Sequence, residues 1–235
     1  MTVVSVACLL ALFVTAAVAG DPAYSPKSRA YGKTLGQWGA EWWLWMGQFP
    51  LADSPITDPD GSRGGADYQP GGPVWYLAGT FGGPAERRVQ VPTDTSLLFP
   101  IINWDIWSPE DCWWIGASTE PDPCSATNLQ AFFDDFFTNH VTGLSVTLDG
   151  EEIRDLFSRR AISGPFTLPI PPDTLWTDFG YAPGNRYPNL SDGYYLMLKP
   201  LEPGYHILTF SAEVDYNPGA PVTYYLTVVE DEDQQ

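Results

Sequence analysis

Positive charge is scarce in this chain. Eleven Lys and Arg stand against 29 Asp and Glu, a net charge of −18 over 235 residues, and Lys27, Lys33 and Lys199 are its lysines. Binding to nucleic acid neutralises phosphates with a basic surface, which argues against nucleic acid as a partner and disfavours anionic membrane surfaces. Histidine is limited to His140 and His206. His206 follows a Pro-Gly turn at a strand start and reads as structural, while His140 falls near a helix C-terminus, where the dipole favours its charged form. No G-x-S-x-G elbow, H-E-x-x-H zinc motif, P-loop or dinucleotide-binding glycine pattern occurs, which removes the motif-borne classes of catalysis. Cysteine amounts to Cys8, Cys112 and Cys124. A single long apolar run exists, Val3 to Val18, and nothing else approaches the roughly 20 apolar residues of a membrane span.

That run, followed by the small-x-small triplet Ala17-Val18-Ala19, predicts a signal peptide over residues 1–19, with an uncleaved anchor as the alternative. Cys8 lies too early in it for a lipoprotein site. Export puts Cys112 and Cys124 in an oxidising compartment, where the two are expected to pair. So short a closed loop would contribute about 3 kcal/mol. Residues 20–229 are expected to form a single β-sandwich domain, large enough to bury roughly 70% of its unfolded surface without help from a metal. Residues 230–235, E-D-E-D-Q-Q, read as a solvated acidic tail.

What the chain does have is tryptophan. Four of its ten tryptophans, Trp38, Trp42, Trp43 and Trp45, fall in Thr34–Pro50. Leu35, Trp38, Trp42, Trp45 and Phe49 recur at spacings of three and four, the period of one helix face. Thr34 with Gln37 makes a capping box, and Pro50 ends the segment. Burying one Trp is worth about 4–6 kcal/mol as an upper figure, so this face is expected to be core. A second helix is predicted from about Asn128 to His140, with Thr127 and Gln130 as its capping box. Leu129, Phe132, Phe133, Phe136 and Phe137 give it a broad apolar face.

The rest reads as strands punctuated by Gly and Pro: Val74–Gly79, Arg87–Val91, Leu97–Ile102, Leu144–Leu148 before an Asp149-Gly150 hairpin turn, Tyr194–Leu201, Tyr205–Val214 and Val222–Val229. Together with few helices this predicts a mainly β fold, an antiparallel β-sandwich or jelly roll with two packing helices at about 34–49 and 128–140. The long polar stretch Leu51–Gly72 is a loop of the length that is usually functional or mobile. Within it, Asp58, Asp60 and Asp67 faintly match an oxygen-ligand calcium loop that lacks its third early carboxylate and terminal Glu.

The order W-x-x-x-W-W-x-W, G-P-V-W-Y-L-A-G-T-F-G-G, L-L-F-P-I-I-N, L-D-G, D-G-Y-Y-L-M-L-K-P-L-E-P-G-Y-H and V-T-Y-Y-L-T-V resembles an uncharacterised family of exported bacterial proteins. The resemblance spans most of the chain after residue 19. It implies export and one contiguous domain and carries no activity or catalytic residue.

A second aromatic cluster, N-W-D-I-W-S-P-E-D-C-W-W, surrounds the expected disulfide and reads as loop. Flat apolar rings beside Asp and Asn suit sugar faces, with rings stacking on C–H surfaces and polar groups taking hydroxyls. Trp104, Asp105, Trp107, Trp113 and Trp114 are therefore the candidate ligand-binding residues, for a polysaccharide or another extracellular surface. Asn189-Leu190-Ser191 matches a glycosylation acceptor pattern. Two alternatives stand beside binding. One is a structural cell-surface or assembly subunit using exposed strand edges. The other is a secreted glycoside hydrolase drawing its paired carboxyl groups from Asp105, Glu110 and Asp111.

Overall fold

The computed structural model describes residues 20–107 and 125–230. The predicted signal segment, the Cys112–Cys124 pair, Trp113, Trp114, Glu110, Asp111 and the tail beyond Glu230 lie outside the described residues.

The tryptophan helix, α1, runs Leu35–Met46. Its start follows the predicted capping box: the Thr34 hydroxyl accepts the Gln37 N–H at 3.2 Å and the Gln37 amide oxygen accepts the Thr34 N–H at 2.9 Å. Trp38, Trp42, Trp43 and Trp45 are all buried, Trp42 completely. Their indole N–H groups, which would be costly to bury unbonded, find backbone carbonyls for three of the four: Ala30 for Trp38, Leu77 for Trp42 and Tyr68 for Trp45.

Strands β1 (Val74–Tyr76), β2 (Ala85–Pro92) and β3 (Ser96–Trp107) follow. Helix α2 (Ala126–Asp135) comes next, then a wider π-type turn over Phe136–His140. The rest is β4 (Val141–Leu148), β5 (Glu151–Glu152), β6 (Arg160–Ile162), β7 (Phe166–Ile170), α3 (Leu175–Asp178), β8 (Gly184–Leu198), β9 (Gly204–Val214), β10 (Asn217–Pro218) and β11 (Val222–Val229). One sheet has the order β1-β3-β8-β6, with β7 also on β8; the other has β2-β11-β9-β4-β5, with β10 on β9. The fold is mainly β and sandwich-like. Both sheets are mixed rather than purely antiparallel, because β1 runs parallel to β3 and β2 parallel to β11.

Two cores follow from the alternation of side chains along β3 and β8. Between the sheets, Leu97, Phe99, Leu196 and Leu198 meet Val89, Leu208, Phe210 and Leu226. On the far face of the first sheet, Leu98, Tyr195 and Met197 meet the tryptophans of α1. The helix is thus core, as expected, and covers the outside of a sheet. Helix α2 fills the end of the inter-sheet core with Leu129, Phe133 and the following Phe137. Its N-cap is Ser125, whose hydroxyl accepts the Asn128 N–H, and not Thr127.

The loop after α1 is organised as short 3-10 turns at Leu51–Asp53, Pro55–Thr57 and Ala66–Tyr68. It is tied down by Arg87, 1% exposed, whose guanidinium donates to the Asp58 and Ile56 carbonyls and to the Ala78 carbonyl and Tyr224 hydroxyl.

Candidate ligand-binding surface

The second tryptophan cluster begins in a strand. The expected loop N-W-D-I-W is the last part of β3, with Asn103 to Trp107 paired antiparallel to Gly193 to Asn189 of β8. Asn and Asp disfavour strands, which is what hid it. Yet Trp104 and Ile106 alternate with Asn103 and Asp105, the period of a pleated ladder. Trp104 and Asp105 therefore point to opposite faces, and the structure does not bring them together.

On the Trp104 side, α2 supplies the surroundings. Trp104 is 41% exposed. The Phe132 ring stands edge-on to it at 5.5 Å and the Phe136 ring at 5.1 Å, the latter perpendicular. Phe136 in turn stacks on His140 at 5.9 Å. The apolar face of α2 thus splits into two ridges. Leu129, Phe133 and Phe137, four apart, are buried, while Phe132 and Phe136 stay half-buried beside Trp104. Together the exposed indole and these rings form an aromatic platform.

A charged network ties α2 to β6 and β8. Arg160 on β6 makes a two-pronged pair with Asp192, Nε to Oδ1 at 3.2 Å and Nη2 to Oδ2 at 2.6 Å, and also reaches Asp134 of α2 at 2.7 Å. The Asp192 side chain is fully buried, across the ladder from Trp104. Burial pushes its carboxyl pKa up, opposed by the Arg160 guanidinium and by the Gly193 N–H it accepts at 2.7 Å. Arg160 also lies 5.6 Å from the Phe137 ring centre. His140 bonds Asp215 through Nδ1 at 2.8 Å. The platform therefore offers flat apolar area, continued by the His140 ring stacked on Phe136.

The Asp105 side is a buried polar strip. Asp105 is 5% exposed, opposite Ser191 in the ladder. The Ser191 and Tyr195 hydroxyls bond at 2.7 Å, Asn103 donates its amide to Tyr195 at 3.2 Å, and Ser163 accepts the Ser191 N–H at 2.9 Å. The Asn189 amide is fully buried with neither its oxygen nor its nitrogen hydrogen-bonded. Asn189 is also the acceptor of the glycosylation pattern, and in this fold its side chain is inaccessible.

The Asp58 region folds as a tight turn against β2. Asp58 is buried; its Oδ1 accepts the N–H groups of Asp60 and Gly61, and its Oδ2 that of Arg63. Its carboxylate is thus occupied by backbone donors, whereas Asp67 is exposed. Among the described residues no three His, Cys, Asp or Glu side chains gather as a metal-holding group. The Asp60 carbonyl accepts the Arg88 N–H of β2 at 2.8 Å. Gly61, at φ +100°, lies so close that a Cβ would stand 2.4 Å from the Arg88 carbonyl oxygen. The turn caps the outer edge of β2. His206 is likewise bound into structure, by Asp149 at 2.7 Å and the Glu202 carbonyl at 2.9 Å.

Sequence reasoning missed Phe132, Phe136 and Asp192 as neighbours of Trp104. The width of the α2 apolar face, five residues where a narrow ridge suffices to bury a helix, was the available signal for the first two. Asp192 comes from β8, whose pairing with β3 leaves no local signature.

No family model matches the chain, and no curated protein is similar to it. A solved structure described as "Structure of PbICP-C in complex with falcipain-2" aligns with 67% of this chain and all of that chain at 8% identity, with a TM-score of 0.24. A likeness at that level carries no conclusion about fold or function. Among the described residues no helix is long and apolar enough to cross a membrane.

Proposed function

We propose that this protein is an exported binding protein that holds a carbohydrate or extracellular-matrix surface through the Trp104 platform. The observation that supports it is a large aromatic side chain left 41% exposed while flanked edge-on by two further rings. An exposed indole in such a frame is pre-oriented, so a sugar face stacking on it loses little side-chain entropy. A neutral glycan also avoids the repulsion that a net charge of −18 would impose on an anionic ligand. Trp107, which closes β3, and Trp113 and Trp114, a few residues further on, complete the proposed set.

Retention of the purified protein on a panel of insoluble polysaccharides tests this. Trp104→Ala is expected to weaken retention on the binding polysaccharide by about tenfold, the scale of one aromatic contact, with a cooperative melt preserved. Equal retention of the variant and the unmodified protein would refute the proposal.

A further inference from the structure

The edges of the second sheet are treated unequally. At β2, the Asp60 carbonyl occupies the outward Arg88 N–H, and Pro92 at the strand end has no N–H to offer. Capping by a turn and by proline is how proteins blunt an edge that would otherwise recruit another strand. The edge at β4 carries neither device.

In β4 the odd residues bond to β9: Thr147 lies opposite Thr209, Ser145 opposite Ser211, and the Asp149 N–H continues the series to the Ile207 carbonyl. Antiparallel alternation then turns the backbone of Leu144 and Val146 outward. β5 covers only the far end, pairing with Thr147 and Leu148, and the last contact is the Ile153 N–H on the Val146 carbonyl at 3.0 Å. Asp155, at φ +57°, then swings the chain into a 3-10 turn over Leu156–Arg159. Among the described residues, the Leu144 N–H and C=O take no bond from β5 or from the segment after it, whereas Val146 is buried. Where the chain peels away it leaves a groove of about 680 Å³ between β4 and residues 152–158. Phe157, 53% exposed, stands at this groove.

We propose that this groove takes an extended, basic polypeptide segment of another protein, which adds to β4 as a strand in line with β5. Backbone groups waiting at the edge select an extended chain, and Phe157 with Leu144 offers an apolar contact for alternate side chains. The rim selects charge. Glu151, Glu152 and Asp155 are exposed there, with Arg154 the one cation among the described residues that line the groove, on a chain of net charge −18. A second copy would bring the same negative rim to the groove. Lysine or arginine side chains between the apolar positions match it.

The test uses a fluorescein-labelled ten-residue peptide of alternating valine and lysine and the purified protein. Anisotropy is expected to show saturable binding that weakens with salt, and hydrogen exchange is expected to show the Leu144 amide fast in the free protein and protected in the complex. The same peptide N-methylated at alternate residues should not bind. Leu144→Pro removes an outward N–H without breaking a bond to β9, and should weaken binding about three- to tenfold with the melt retained. Unchanged binding of the N-methylated peptide, or a Leu144 amide left unprotected in the complex, would overturn the proposal. Light scattering covers the remaining occupant: self-association abolished by Leu144→Pro would show a second copy in the groove and would equally overturn it.

Discussion

Single residues carry the clearest physical tensions in this molecule. Asn189 is fully buried with both amide atoms unbonded, and each orphaned polar group costs about 1–3 kcal/mol. Leucine has nearly the same shape and no such penalty. Asn189→Leu is therefore expected to raise stability by roughly 1–3 kcal/mol in urea unfolding; a loss of stability would mean that the amide holds a ligand or a water. His206 presents a pH-dependent case. Burial works against its charged form, but the hydrogen bonds to Asp149 and the Glu202 carbonyl prevail and raise its pKa above the ordinary value. A raised folded pKa favours folding while the imidazole is charged. That stabilisation is complete below about pH 6.5, the unfolded value, and is lost as pH rises through the higher folded value. With Asp149 46% exposed at its side chain, the effect should be no more than about 1 kcal/mol. Thermal melts between about pH 6 and 8 should show this decline in the unmodified protein and its absence in His206→Gln.

At the scale of elements, α1 shows where sequence reasoning succeeds and where it stops. Its capping box, its periodicity and its burial were all legible, because each depends on residues within one or two turns. Its glycines were not. By propensity alone, Gly36→Ala should stabilise the helix by about 1 kcal/mol. In the fold a Cβ at Gly36 would sit 2.1 Å from the Ile162 carbonyl oxygen of β6, a contact that real atoms do not make. Gly36→Ala is therefore expected to destabilise the protein by more than about 2 kcal/mol in the same unfolding assay, since the helix must lift from the sheet to accept it. The strands divide in the same way. β9 and β11 alternate apolar and polar residues and end at Gly/Pro turns, so they could be read. The first half of β8 runs G-N-R-Y-P-N-L-S-D-G, a composition that argues for a loop, and is held as strand by its neighbours β3, β6 and β7. The end of β3 escaped notice for the same reason, and with it the true setting of Trp104.

For the whole molecule, three layers follow from two demands: α1 must bury its tryptophans, and two sheets must bury one face each. The mainly β class and the sandwich-like arrangement were therefore readable from patterning. The parallel pairs β1 with β3 and β2 with β11 were not, because pairing between distant strands leaves no mark on either. The candidate site was half legible. Trp104 was identifiable as an aromatic outside any core periodicity, but its partners come from α2, the turn after it and β8 and meet only in three dimensions. Asp105, its neighbour in the chain, belongs to another face.

The central claim is that Trp104 is a ligand platform while the tryptophans of α1 are core. Titration of isotope-labelled protein with soluble oligosaccharides, followed at the indole N–H resonances, tests it most directly, with the Trp104 signal assigned by its absence in Trp104→Phe. The account predicts that a binding oligosaccharide moves the Trp104 resonance in a saturable way and leaves those of Trp38, Trp42 and Trp45 in place. Saturable binding that leaves Trp104 unmoved, or that shifts the α1 indoles instead, would contradict it.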